Sequence, residues 1–289
     1  MHDIWLHVHV PKAGGSTIRQ LMNRTFGKGY YNSNSLLETK QYLCEDVSEI
    51  IRCHPWLRGF SDHKLSLDLP FDSEHANVHA ICFVREPVSR FVSRFFFHRN
   101  FEEVNCIAQK MSFAEFAKME LVEHYVHPQT NSQIRFLNGN VDDHSLDVIH
   151  AAISTGKAFV FPVERFDHAC VFLEAKFPEI FTDLSYVRVN TSDRNDQLDK
   201  LDLDFVREKL HADAPLIELA QTQLDASIEN EFDSSENFEI ALSEFQDRCS
   251  RRHHNFRPLR KEGEAPISSD EIARDKSTNR PDHLNPSKK

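Results

Sequence analysis

Apolar positions change their spacing abruptly within the first thirty residues. Ile4, Leu6, Val8 and Val10 alternate with polar or aromatic residues, the period-two pattern of a strand. Ile18, Leu21, Met22 and Phe26 then recur at helical spacing, which predicts a helix starting at Ser16 or Thr17. Between the two, Gly14 and Gly15 let the backbone turn sharply and approach a ligand with no Cβ in the way. A second strand–turn–helix follows. Val78–Val84 is an apolar run suited to a central strand, and Pro87 fits a first helical turn, where its missing N–H is harmless. Val88, Phe91, Val92, Phe95 and Phe96 then repeat at i, i+3, i+4, i+7 and i+8, a core-facing stripe. Strand and helix patterns alternate to about residue 190, which predicts an α/β domain around a mostly parallel sheet. From Asp193 to Asp247 the pattern is helical and acidic, and no internal repeat is present.

Composition refines this picture. With 289 residues, 40% of them hydrophobic and 23 of them Phe, the chain can bury a sizeable core. One domain is expected over residues 1–260, followed by a disordered tail over 261–289, where the sequence is charged, polar and free of aromatics. A net charge of −11 speaks against nucleic acid as a partner. Arg85, Arg90, Arg94 and Arg99 lie close in sequence, and Arg90 and Arg94 read as a solvent-facing i, i+4 pair. The basic stretch Arg251–Lys261 reads as a solvated helix end, with part of an anion-binding rim as the alternative. Six cysteines show no C-x-x-C spacing; Cys82 reads as a small core residue, and Cys44 with Cys53 is the pair to consider in an oxidising compartment. No leader or long apolar run is evident, so the expectation is a cytoplasmic protein without membrane insertion, or a fragment lacking its anchor.

The first loop carries candidate chemistry. A helix N-terminus presents free N–H groups and a partial positive charge, and Lys12 adds a full charge on a flexible stem, so the layout is a cradle for phosphate or sulfate. It is not a Walker A loop, whose lysine follows the second glycine; here Lys12 precedes Gly14 and Gly15. Arg85 sits where the second strand ends, and Ser93 lies two turns into the helix. His7 and His9 share a face of the first strand, but without a third ligand nearby they do not make a metal site, and no metal is predicted.

The run His9–Thr17 resembles the 5′-phosphosulfate loop of sulfotransferases that use 3′-phosphoadenosine-5′-phosphosulfate (PAPS), closest to the carbohydrate branch with its H-x-P-K-x-G-G-[ST]-[ST]-like signature. The string R-E-P-x-x-R-F-x-S from Arg85 to Ser93 resembles the same family's 3′-phosphate motif, with Glu86 where Asp is usual. More weakly, Asn131–Asn140, Phe159–Phe177 and Asn190-Thr191-Ser192 look like later segments of the heparan sulfate and uronyl 2-O-sulfotransferases. The resemblance implies a P-loop-like three-layer fold, PAPS as donor, 3′,5′-bisphosphate PAP as product, a carbohydrate or glycoconjugate acceptor, and no metal. It implies that Lys12, Ala13, Gly14, Gly15, Ser16 and Thr17 hold the 5′-phosphosulfate and that Arg85 and Ser93 hold the 3′-phosphate. Lys12 would also stabilise the leaving oxygen. Leu57–Asp68 looks like the family's histidine segment, H-G-H in the uronyl enzymes; His63 matches the second histidine, as general base, and Ser61 replaces the first, with His54 and Asp62 in reserve. The acidic net charge makes a long, highly sulfated polymer a less comfortable acceptor. Two other classes remain open at this point: a small-molecule kinase, which needs a magnesium-binding Asp at a strand end, and a non-catalytic nucleotide-binding module, which the Ser61 replacement keeps in play.

Overall fold

Strand β1 (Asp3–Val8) is the middle of a five-stranded sheet in the order β2-β3-β1-β4-β5, with β2 at Tyr30–Asn32, β3 at Gly59–Asp62, β4 at Asn77–Val84 and β5 at Ala158–Pro162. Every pairing is parallel. The computed structural model describes residues 2–32, 41–100, 110–122, 132–139, 144–187 and 198–255. The expected tail over 261–289 and the segment Asn190–Ser192 lie outside them.

Both faces of β1 are covered. Ile4, Leu6 and Val8 are buried on one side, and Trp5 and His7 on the other. Trp5 stacks on His79 at 4.5 Å between ring centroids and meets Phe177 and Phe181 edge-on. Helix α1 (Gly15–Phe26) buries Ile18, Leu21 and Met22 as its spacing requires. Because all strands run the same way, the segments that follow β1, β3 and β4 emerge at one edge, where chain direction reverses between β3 and β4 on either side of β1. Ligands bind at that place in open parallel sheets.

After α2 (Cys44–Cys53) comes helix α3 (Pro87–Asn100), whose apolar stripe is core-facing as expected but whose Arg90 and Arg94 depart from expectation. Its stripe of Val88, Phe91, Val92, Phe95 and Phe96 faces a second core, built with α4 (Phe113–Leu121) and α8 (Lys200–Leu210) rather than with the sheet. Arg90 and Arg94 are not solvent-facing: they are 2% and 7% exposed. Arg94 pairs with Glu120 of α4 at 2.9 Å, and Arg90 lies in the field of Asp213. Their spacing placed them on one face, but only the packing of α4 and the 3-10 turn His211–Asp213 decides that the face is covered.

Five further helices complete the described residues: α5 (Gln133–Asn138), α6 (Asp147–Ser154), α7 (Phe166–Lys176) and, beyond α8, the long pair α9 (Ala214–Glu231) and α10 (Ser235–Asn255). Gln223 of α9 closes the edge of β5, accepting from Val160 N–H and donating to the Ala158 carbonyl, both at 2.9 Å. Near the end of α10, Arg252 is committed to Asp183 and Ser185. Cys44 and Cys53 are free thiols at opposite ends of α2, about 13 Å apart along the axis at 1.5 Å per residue, too far for a bridge. Among the described residues no helix is long and apolar enough to cross a membrane.

Gly59 opens β3 where α1 ends, and a Cβ there would lie 2.5 Å from Phe26 Cδ2 and 3.1 Å from Tyr30 Cδ2. Gly59→Ala should therefore lower the urea midpoint by the equivalent of about 1–3 kcal/mol. An unchanged midpoint would mean that Phe26 yields without cost.

Candidate active site

The loop after β1 is built by two residues in the left-handed region, Lys12 (φ 66°) and Gly14 (φ 82°). A Cβ on Gly14 would also press on Val163 Cγ2 at 2.9 Å. Gly14 is the N-cap of α1; no side chain caps the helix and no acidic residue sits in its first turn. The leading N–H groups, at Gly15 and Ser16, thus have no intrahelical acceptor and are offered to whatever occupies the loop. Ser16 is exposed and Thr17 half-buried at this mouth. Ala13 has a structural part: its methyl is in the core and its N–H turns back to the Val10 carbonyl at 3.4 Å.

Two cations meet over this loop. Arg85, the first residue after β4, donates from Nη1 to the Lys12 carbonyl at 3.4 Å. The Lys12 ammonium sits 3.9 Å above the Phe97 ring and has no carboxylate partner among the described residues. Burial, and then the charge of Arg85, push its pKa down to about 8. Nearby His98 is pushed down to about 4 by burial, then by Arg94 and Lys12. Glu86 does not neutralise the pair; its carboxylate caps α3, accepting from Val88 N–H at 3.0 Å and Ser89 N–H at 2.6 Å. Ser93 is half-buried on α3, and its hydroxyl makes no hydrogen bond among the described residues.

His63, one residue beyond β3, lies against the other side of the loop. Its ring stacks on His9 at 3.8 Å, and His9 stacks on His7 at 4.9 Å. Nδ1 of His63 is 2.8 Å from the His9 carbonyl, which can only accept, so Nδ1 carries the proton and Nε2 holds the free lone pair of the neutral ring. Burial against the stack lowers the His63 pKa, opposed by the His9 carbonyl and by Asp62. Yet the residue as a whole is exposed to solvent. The reserves are otherwise engaged. Asp62 accepts from Tyr42 Oη and Lys64 N–H, and His54 binds the Ile50 carbonyl at the opposite end of β3. Ser61 is fully buried and lies 2.7 Å from His7 Nδ1, facing inward rather than toward a ligand.

Gly15 ties the histidine stack to the loop. A Cβ at this position would fall 1.7 Å from His9 Nε2, so only glycine lets α1 start against that ring. Beside the stack, a polar cleft of about 440 Å³ is lined by Ser16, Arg19, Gln20 and Asn23 of α1 and by Tyr30 and Asn32 of β2. The charge of Arg19 is felt at His7, His9, His63 and Tyr30. Among the described residues no group of three His, Cys, Asp or Glu side chains is arranged for a metal ion; the histidine rings stack face to face instead of converging.

Sequence reasoning assigned no role to Arg19, Gln133 or Asp213. Gln133 binds both backbone groups of Arg85, accepting from its N–H at 2.9 Å and donating to its carbonyl at 2.8 Å. Arg19 had a local signal, one helical turn beyond the cradle; the contact from Gln133 spans 48 residues and had none.

An uncapped helix start, two cations and a solvent-exposed histidine are gathered where a parallel sheet reverses its winding, an arrangement of an α/β fold suited to a phosphate- or sulfate-bearing ligand. The chain belongs to the sulfotransferase family, whose model matches residues 3–212. The crystal structure of a sulfotransferase from Alicyclobacillus acidocaldarius is similar at 13% identity and a TM-score of 0.42, covering 75% of this chain and 96% of that one. No curated protein matches the chain.

The buried histidines give stability a defined pH dependence. His7 is pushed down to about 3, by burial first and then by His63 and Arg19. An unfolded chain therefore takes up this proton near pH 6.5 and the folded one does not, so stability is full above pH 6.5 and falls as the pH drops toward the folded value. Urea unfolding should lose about 2 kcal/mol from His7 alone between pH 6.5 and 5. His7→Gln should flatten that slope, and an equal slope in the variant would refute the assignment.

Proposed function

We propose that this sulfotransferase moves a sulfuryl group from PAPS to a hydroxyl of a carbohydrate or glycoconjugate, with His63 as general base. The observation that carries the reading is Lys12 held beside Arg85 at an uncapped helix start, with its pKa brought down to about 8. The residues fit the donor: free N–H groups and Ser16 and Thr17 at the mouth of the loop suit the 5′-phosphosulfate, and Arg85 and Ser93 suit the 3′-phosphate.

PAPS supplies an activated sulfuryl group when bound. Lys12, still protonated at neutral pH, places its charge where the bridging oxygen becomes negative, and its lowered pKa eases release of the proton to that oxygen. Nε2 of His63 takes the acceptor hydroxyl's proton, and the His9 carbonyl holds the ring in the tautomer that can do so. The adjoining cleft, lined by amide, hydroxyl, phenol and guanidinium groups, suits a hydroxyl-rich acceptor rather than an apolar one. Asp62, at a strand end where a kinase would hold magnesium, already has both carboxylate oxygens engaged, which weighs against that class.

Calorimetric titration with PAP, against ATP and magnesium as control, tests the donor. PAP should bind, and Arg85→Ala should weaken it by about tenfold or more. Lys12→Ala should abolish turnover with PAPS across a panel of glycosides, and His63→Asn should lower kcat by about a hundredfold or more while leaving PAP affinity intact. Failure of the wild type to bind PAP would overturn the reading; binding without turnover on any acceptor would favour a non-catalytic module.

A further inference from the structure

We infer that Gln133 and Asp213 are positioning residues that set the reach of Arg85. Strand β4 ends at Val84, whose partner on β5 is Pro162, and on the other side pairing with β1 stops at Cys82 opposite Val8. Among the described residues, no strand therefore lies beside Arg85 to fix its backbone. Gln133 takes the place of that strand. It is wholly buried, and its amide oxygen and nitrogen engage the N–H and carbonyl of Arg85 at 2.9 and 2.8 Å, the two-bond pattern of a ladder pair supplied by one side chain.

The clamp is itself anchored. Asp213, 1% exposed, accepts from Gln133 N–H at 2.7 Å, Ser132 Oγ at 2.9 Å and Ile134 N–H at 3.3 Å. Asp213 also faces Arg90 electrostatically. The series then runs from Asp213 through Gln133 to Arg85, whose guanidinium reaches the Lys12 carbonyl on the cradle. It connects the turn between α8 and α9 to the loop after β1, two places more than 190 residues apart in the chain. A gripping side chain displaced by about 1 Å can lose on the order of a hundredfold in what it supports, so fixing both backbone groups of Arg85 bears directly on ligand affinity.

This inference rests on the proposed role of Arg85 at the 3′-phosphate, and the test separates the two. Affinities of the full chain for PAP and for adenosine 5′-monophosphate, which lacks the 3′-phosphate, give a preference ratio. Wild type should prefer PAP by about tenfold or more, as a charge-assisted phosphate contact provides. Gln133→Leu should reduce that ratio about tenfold with the monophosphate affinity nearly unchanged, and the double variant with Arg85→Ala should lose no more than Arg85→Ala alone. Gln133→Glu, which can accept from the Arg85 N–H but not donate to its carbonyl, should fall between. A lowered melting temperature with an intact ratio, or additive losses in the double variant, would reduce Gln133 to a structural part and overturn the inference. If Gln133→Leu does not fold, Asp213→Asn decides on the same criterion, with a partial loss of the ratio expected and an intact ratio overturning it. A wild type with no preference for PAP would overturn the role of Arg85 and, with it, this inference.

Discussion

The ring of His9 fills the space in which any side chain at position 15 would begin. From that one contact the rest of the site follows. Glycine at 15 brings the start of α1 against the ring, the ring supports His63 at 3.8 Å, and the His9 carbonyl fixes which nitrogen of His63 is basic. The loop after β1 and His63 are thereby positioned by a single residue just beyond the central strand. The arrangement requires His9 to be uncharged, and its burial beside His7 and His63 holds its pKa far below the ordinary histidine value.

Charge is distributed unevenly in this acidic chain. Against a net −11, Lys12, Arg85, Arg90 and Arg94 are drawn to one side of the cradle. Arg94 has its carboxylate in Glu120, and Glu86 spends its charge on capping α3. Lys12 has no carboxylate among the described residues, and its burial, then the charge of Arg85, lowers its pKa. An anion at the start of α1 would offset both the burial of the Lys12 charge and its repulsion from Arg85.

Parallel topology collects these pieces. Strands β1, β3 and β4 deliver Lys12, His63 and Arg85 to one edge of the sheet, from positions far apart in sequence. Burial of the sheet on both faces leaves that edge as the place where polar side chains and unpaired backbone groups can meet a ligand. The polar cleft along α1 and β2 opens at the same place, beside the histidine stack.

Local sequence determined the elements and the cradle. The switch from period two to helical spacing, the paired glycines after Lys12, and Pro87 before an apolar stripe each act over a few residues, so their outcome was legible without neighbours. Tertiary structure decided what those residues face. The i, i+4 spacing of Arg90 and Arg94 states that they share a side but not that α4 covers it, and Asp62 and Ser61 proved engaged inward only once β3 lay beside β1. The clamp of Gln133 on Arg85, and the stack that orients His63, join segments separated by 48 and 54 residues, and nothing in a linear pattern encodes a partner at such distance. Periodicity is a property of one element, whereas a hydrogen bond between elements depends on how the whole chain closes around its core.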